Sequence, residues 1–207
     1  MDSKTKQLQT IVFLGALWGI CEATIGHLLH ILPCGFSGMI MFPLGFYFMY
    51  YAFKQTGDDK AILITGFIAA AIKLTGFLLP SRSPMTVLNP AMSIVLESLI
   101  VFAFIKIFEP KGKITETMIL GFGWVIAFTL VQGLIFKPAD GLYLRPVLQM
   151  LAFITLNAVV SASIISIFLR KQDFAPWKPS LSKQTYAVPV ITLQVAVILE
   201  IVTSMII

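Results

Sequence analysis

The chain has 207 residues, 57% of them apolar and only 12% charged, with a mean hydropathy of +0.90. That composition excludes a soluble globular domain and a water-filled enzyme core. The formal charge of +5 does not point to nucleic acid, because the Lys and Arg residues lie between hydrophobic runs rather than on one basic face.

Hydrophobic runs long enough to cross a bilayer core of roughly 30 Å recur nearly from end to end. They predict an all-α fold: one integral membrane domain over residues 1–207, a polytopic transmembrane helical bundle of six to seven spans. The opening MDSKTKQ is short and charged, and the run after it lacks a small-residue cleavage site, so a retained first span is expected over about 8 to 32. A turn at Pro33 to Ser37 leads to span two, about 38 to 53. The polar KQTGDDK precedes span three, about 61 to 79. The segment SRSPMTVLNP, 81 to 90, with two prolines and no helical period, predicts an outer loop or re-entrant cap. Span four is expected from Pro90, which suits a first helical turn, to about 108. Spans five, about 115 to 136, and six, about 144 to 169, follow, then a long polar connection and a seventh apolar run over the last 22 residues.

Cytoplasmic connections collect Lys and Arg. One side gathers Lys4, Lys6, Lys54, Lys60, Lys106, Lys111, Lys113, Arg170, Lys171, Lys178 and Lys183, and the other only Arg82, Lys137 and Arg145. The N terminus is therefore expected in the cytoplasm of a prokaryotic cell, with the chain multi-pass in its cell membrane. Cys21 and Cys34 have no CxxC spacing, so free thiols are expected.

Charge within hydrocarbon calls for a reason, and the stretch GALWGICEATIGHLLHILPCGFSG, residues 15 to 38, has one carboxylate and two imidazoles. At 100° per residue Gly15, Gly19, Glu22, Ala23, Gly26 and His30 share an arc of about 100°, with His27 at its edge. Leu14, Leu17, Cys21, Ile25, Leu28 and Leu32 take the opposite, lipid-facing side. Gly15, Gly19 and Ala23 stand four apart, the spacing that admits a close second helix, whether in this chain or in another subunit. Lys73 shares a face with Gly66, Ala69, Ala70 and Gly76. Span four brings Asn89, Ser93 and Glu97, and span six Arg145 and Gln149, with Asn157 deeper. Together these predict an outward-facing polar cavity about half a membrane deep.

Each residue also has a plainer reading. Glu22 or Glu97 can pair with Lys73 to fix helix register, or Lys73 can snorkel. His27 and His30 can hold a metal with Glu22, although hydrogen-bonded histidines near an interface are commoner. Trp18, Trp124, Trp177 and the tyrosines at 47, 50 and 51 read as interfacial belt or lipid-facing bulk. Glu200 has no partner legible in the sequence. No HExxH, GxSxG, Walker loop or DxD pair is present, so neither catalysis nor a cofactor is expected, and energy input would come from an ion gradient or another subunit.

The succession LWGICEATIGHLLH, PCGFSGMIMFPLG, the AAAIKLTG lysine and LNPAMSIVLESL, over about residues 14 to 105, resembles the substrate-binding (S) components of energy-coupling factor (ECF) transporters. The resemblance implies a membrane-embedded capture subunit that binds a vitamin or metal ion from outside and joins a coupling protein and two ATPases. It maps the family's docking motif onto Gly15, Gly19 and Ala23, where family members generally have alanines, and implies six helices. On this reading Glu22, His30, Lys73, Asn89, Glu97 and Arg145 bind a small cationic or zwitterionic, vitamin-like solute. The alternatives are a self-sufficient secondary transporter or channel using the intramembrane Glu and His, or a metal or haem protein.

Overall fold

Apolar stretches in hydrocarbon have no water to satisfy their backbone, so they close their hydrogen bonds within helices. The computed structural model describes residues 3–29, 36–79, 84–108, 110–137, 144–171 and 187–206, and among these there is no strand. Helix α1 (Ser3–Cys21) continues through a π-type turn (Glu22–Gly26) and a last turn (His27–Leu29). Helix α2 is Phe36–Thr56, and α3 is Lys60–Leu74, closing in a 3-10 turn (Thr75–Leu78). Helix α4 is Pro84–Ile107, and α5 is Ile114–Val131, followed by a second π-type turn (Gln132–Phe136). Helices α6 (Val147–Arg170) and α7 (Ala187–Ile206) complete the bundle. All but α2 are among the six helices long and apolar enough to cross a membrane, and α2 has 21 residues. The chain is an all-α, multi-pass membrane bundle.

Contacts between side chains set the helix directions. Gly15 lies against Ile68 and Gly19 against Ile72, so α1 and α3 run parallel. Gln7 Nε2 donates to the Thr56 carbonyl at 3.0 Å while Trp18 lies beside Gly45, so α2 runs antiparallel to α1. Gly66 meets Ser98, and Gly121 meets the Ala158 backbone, which sets α3 against α4 and α5 against α6. Helix α2 is the hub, touching α1, α3, α4 and α6 and burying Phe42, Phe46 and Met49 completely or nearly so. Pro43 leaves the Met39 carbonyl without its usual i+4 donor. The Ser161 hydroxyl of α6 lies 3.5 Å from that oxygen and can replace it.

The two ends of the bundle differ. At the lysine-rich end Lys106 pairs with Asp59 at 3.0 Å, and Ser166 Oγ and Arg170 Nε both donate to the Gly112 carbonyl, at 2.8 and 2.9 Å. At the other end α1, α3 and α5 all abandon α-geometry. In each, a threonine hydroxyl takes a carbonyl of the preceding turn: Thr24 that of Ile20 (2.7 Å), Thr75 that of Ile72 (2.6 Å), Thr129 that of Val125 (2.7 Å). Such back-bonding competes with the helical ladder and bends it, and glycine follows soon after at 26, 76 and 133.

Several expectations are corrected. Helix α4 starts at Pro84, so residues 84 to 89 are helical rather than loop, and Pro90 lies inside the helix. Trp18 and Trp124 are buried at 0% and 2% exposure rather than forming an interfacial belt, because each packs among other apolar helix faces; Trp177 lies outside the described residues. Leu14, expected on the lipid face, is buried between α1 and α2, whereas Ile25 and Leu28 are exposed as expected.

Candidate functional site

The site is built where α1, α2, α4 and α5 approach the unwound end. Glu22 opens the π-type turn of α1, and Trp18, one turn earlier, donates its Nε1–H to Glu22 Oε1 at 3.2 Å. Glu97 lies midway along α4, where Ser93 Oγ donates to its Oε1 at 3.4 Å. The other Glu97 oxygen, Oε2, is buried with no hydrogen-bond partner among the described residues. Between Trp18 and Glu97 stands Gly45 of α2. A Cβ there would come within 2.5 Å of Trp18 Cζ2 and 2.9 Å of Glu97 Oε2, so only glycine lets the indole and the carboxyl close in from both sides.

Glu22, Ser93 and Glu97 line a cleft of about 80 Å³, also bordered by Ser37, Gly38, Asn89, Pro90 and Phe128. That volume is below the roughly 300–1,000 Å³ of small-molecule sites, so a solute enters only as the mouth widens. Asn89 at the rim accepts a hydrogen bond from Gln132 Nε2 in the π-type turn of α5, which ties α4 to α5. Behind Phe128 lies an aromatic stack: Phe42 stacks on Trp124 with centroids 5.1 Å apart, and Trp124 lies 5.1 Å from Phe128. Trp124 Nε1 is itself buried without a partner among the described residues.

Of the residues expected to bind substrate, Glu22, Asn89 and Glu97 meet at this cleft. Lys73 does not. Its ammonium turns to Glu200 of α7, with Nζ 3.1 Å from each carboxylate oxygen, because that helix covers the α1–α3 groove and offers the opposite charge. Arg145 and Gln149, at the start of α6, are exposed and take no part in the lining. His30 lies outside the described residues. For a metal site at His27, His30 and Glu22, no group of three His, Cys, Asp or Glu gathers among the described residues. His27 itself is buried.

The stripe expected to dock another subunit faces inward. A Cβ on Gly15 would meet Ile68 Cβ at 2.8 Å and the Thr65 carbonyl at 3.0 Å, and one on Gly19 would meet Ile72 Cδ1 at 2.5 Å. Ala23 is completely buried, in a turn against which α7 packs. The close approach that these small residues permit is used by α3 of the same chain.

The sequence did not point to Gly45, Gln132, Ser37 or Phe128 as parts of the site, nor to Glu200 as the partner of Lys73 and Ser204 as a donor to that glutamate. The only sequence signal for the last two was the spacing of four through Ala196, Glu200 and Ser204, which marks the face that α7 buries. No family model matches the chain, and no curated protein or solved structure is significantly similar to it.

Proposed function

We propose that this chain is a membrane-embedded solute-capture protein that binds a small molecule in the Glu22–Glu97 cleft, and that it serves as the substrate-binding subunit of an ECF-type importer in a prokaryotic cell membrane. One observation carries the reading: a buried carboxylate with a free oxygen borders a partly open cleft midway through the bundle. A structural carboxyl at that depth would have its acceptors filled, because leaving one unmet costs about 1–3 kcal/mol.

The excess of lysine and arginine at the opposite end supports an orientation with the cleft facing outward and the N terminus in the cytoplasm. A protein so built takes solute from outside and hands it on without altering it, which requires energised partner subunits: a coupling protein and ATPases. With Gly15, Gly19 and Ala23 covered inside the chain, such a partner would dock elsewhere on the bundle.

The deciding experiment combines native mass spectrometry of gently purified protein with transport in liposomes. A copurified small molecule released by Glu97→Gln, with no uptake by the protein alone, is the expected result. Gradient-driven uptake without an ATPase would instead assign a self-sufficient transporter, and bare protein that binds no solute would sink the capture reading.

A further inference from the structure

We infer that the solute accepted by this cleft is an organic cation, held by the Glu97 carboxylate and competing there with protons. The inference rests on the solute-capture reading. Its ground is the balance of charge inside the bundle. Two carboxyl groups, Glu22 and Glu97, line the cleft, and the one buried ammonium among the described residues is that of Lys73. That ammonium is paired with Glu200. Among the described residues no lysine or arginine lines the cleft, and Lys137 and Arg145 at the same end of the bundle are exposed; Arg82 lies outside the described residues. Glu97 is 2% exposed, yet its Oε2 has no donor among the described residues.

A buried negative charge without compensation is costly, and a ligand that supplies the missing positive charge gains what the site lacks. An anion would be repelled, and the carboxylate of a zwitterion would find no cation to meet among the described lining residues. A divalent metal ion would lack a third His, Cys, Asp or Glu ligand among the described residues. The lining offers instead the Phe128 ring, whose face suits a weakly hydrated cation, with Asn89 and Ser37 for a polar substituent.

A proton bound at Glu97 removes the charge that attracts the ligand, so affinity falls as pH falls, and each cation bound to the protonated form releases one proton to water. Among the described residues the other titratable or charged groups facing this region are Glu22, Cys21 and His27 on α1, Lys73 on α3 and Glu200 on α7. Helices α2 and α5 bring none to the lining.

The test uses the full chain in nanodiscs and three probes that share one crowded head group: choline, glycine betaine and 3,3-dimethylbutan-1-ol, carrying a positive charge, both charges and none. Calorimetric titration should show choline binding about tenfold or more tighter than either of the others, and weakening as the pH is lowered. Glu97→Gln should abolish both the charge preference and the pH dependence, while His27→Gln should keep both. Were Glu97→Gln to misfold, the wild-type ranking and its pH trend would still decide. Equal binding of the alcohol, or a copurified neutral or anionic solute, would overturn the cation class and leave the capture reading standing. Binding of none of the three would overturn the cation class, and bare protein that binds no solute at all in a wider screen would overturn both.

Discussion

Lys73 and Glu200 stand 127 positions apart in sequence, yet the lysine Nζ lies 3.1 Å from both oxygens of the glutamate, with the two side chains only 5% and 3% exposed. Ser204 Oγ is a second donor, to Oε1 at 3.2 Å. This pair fastens α7 to the rest of the bundle, because the remaining contact of that helix is mainly Ala196 and its neighbours against Ala16 and Ile72.

Removing one partner of a buried pair leaves the other uncompensated. Glu200→Gln should therefore lower stability by about 3–5 kcal/mol, while the double change Lys73→Met with Glu200→Leu should recover most of the loss. Thermal unfolding in detergent measures both. A double variant no better than the single one would mean that the pair contributes more than the relief of its own desolvation.

Gly15 and Gly19 look alike in sequence but not in their surroundings. Alanine at 15 meets the Ile68 Cβ and a backbone carbonyl, neither of which can move alone, whereas alanine at 19 meets the tip of the Ile72 side chain. Gly15→Ala should cost about 1–3 kcal/mol, and Gly19→Ala clearly less. Equal melting temperatures for the two variants would contradict the packing described.

Gly45→Ala should disturb the cleft from its far side. The new methyl would push on Trp18 Cζ2 and Glu97 Oε2 together, so ligand affinity should drop at least tenfold, with a stability loss of about 1–3 kcal/mol. The altered Trp18 environment should shift the tryptophan emission, a readout independent of any ligand.

Gln132→Leu tests the rim. It deprives the Asn89 carbonyl oxygen of its donor, at a cost of about 1 kcal/mol, and should speed ligand release more than it slows entry. Stopped-flow release rates distinguish this from simple destabilisation, which would leave the rate unchanged in the folded fraction.

Helix number and class were legible because apolar runs of fixed length have only one comfortable form in a bilayer. Glu22, Asn89 and Glu97 were legible as well, since polar groups in such runs seek one another. The fate of Lys73 was not. Periodicity places a side chain on a face of its own helix but does not say which neighbour meets that face, and both Glu22 and Glu97 offered nearer partners in sequence than Glu200. The same limit hid the inward turn of Gly15 and Gly19, because a small-residue stripe looks identical whether its partner lies inside the chain or outside. The helical start of α4 was missed because Pro84 and Pro90 read as breakers, although one stands at the first position of the helix, where proline is tolerated, and the other still within its early turns.

The rewinding of α1, α3 and α5 at one end, set against the cross-ties of Lys106 and Arg170 at the other, gives the bundle a gradient of stiffness along its axis. Short π-type and 3-10 turns, with poorer hydrogen-bond geometry, open more readily than an uninterrupted α-helical ladder. Backbone amides near 22–26, 75–78 and 132–136 should thus exchange with deuterium sooner than those of the same helices near the lysine-rich end. Widening of the cleft mouth then needs only short segments to yield, with the opposite end acting as the fixed base of a pair of tongs.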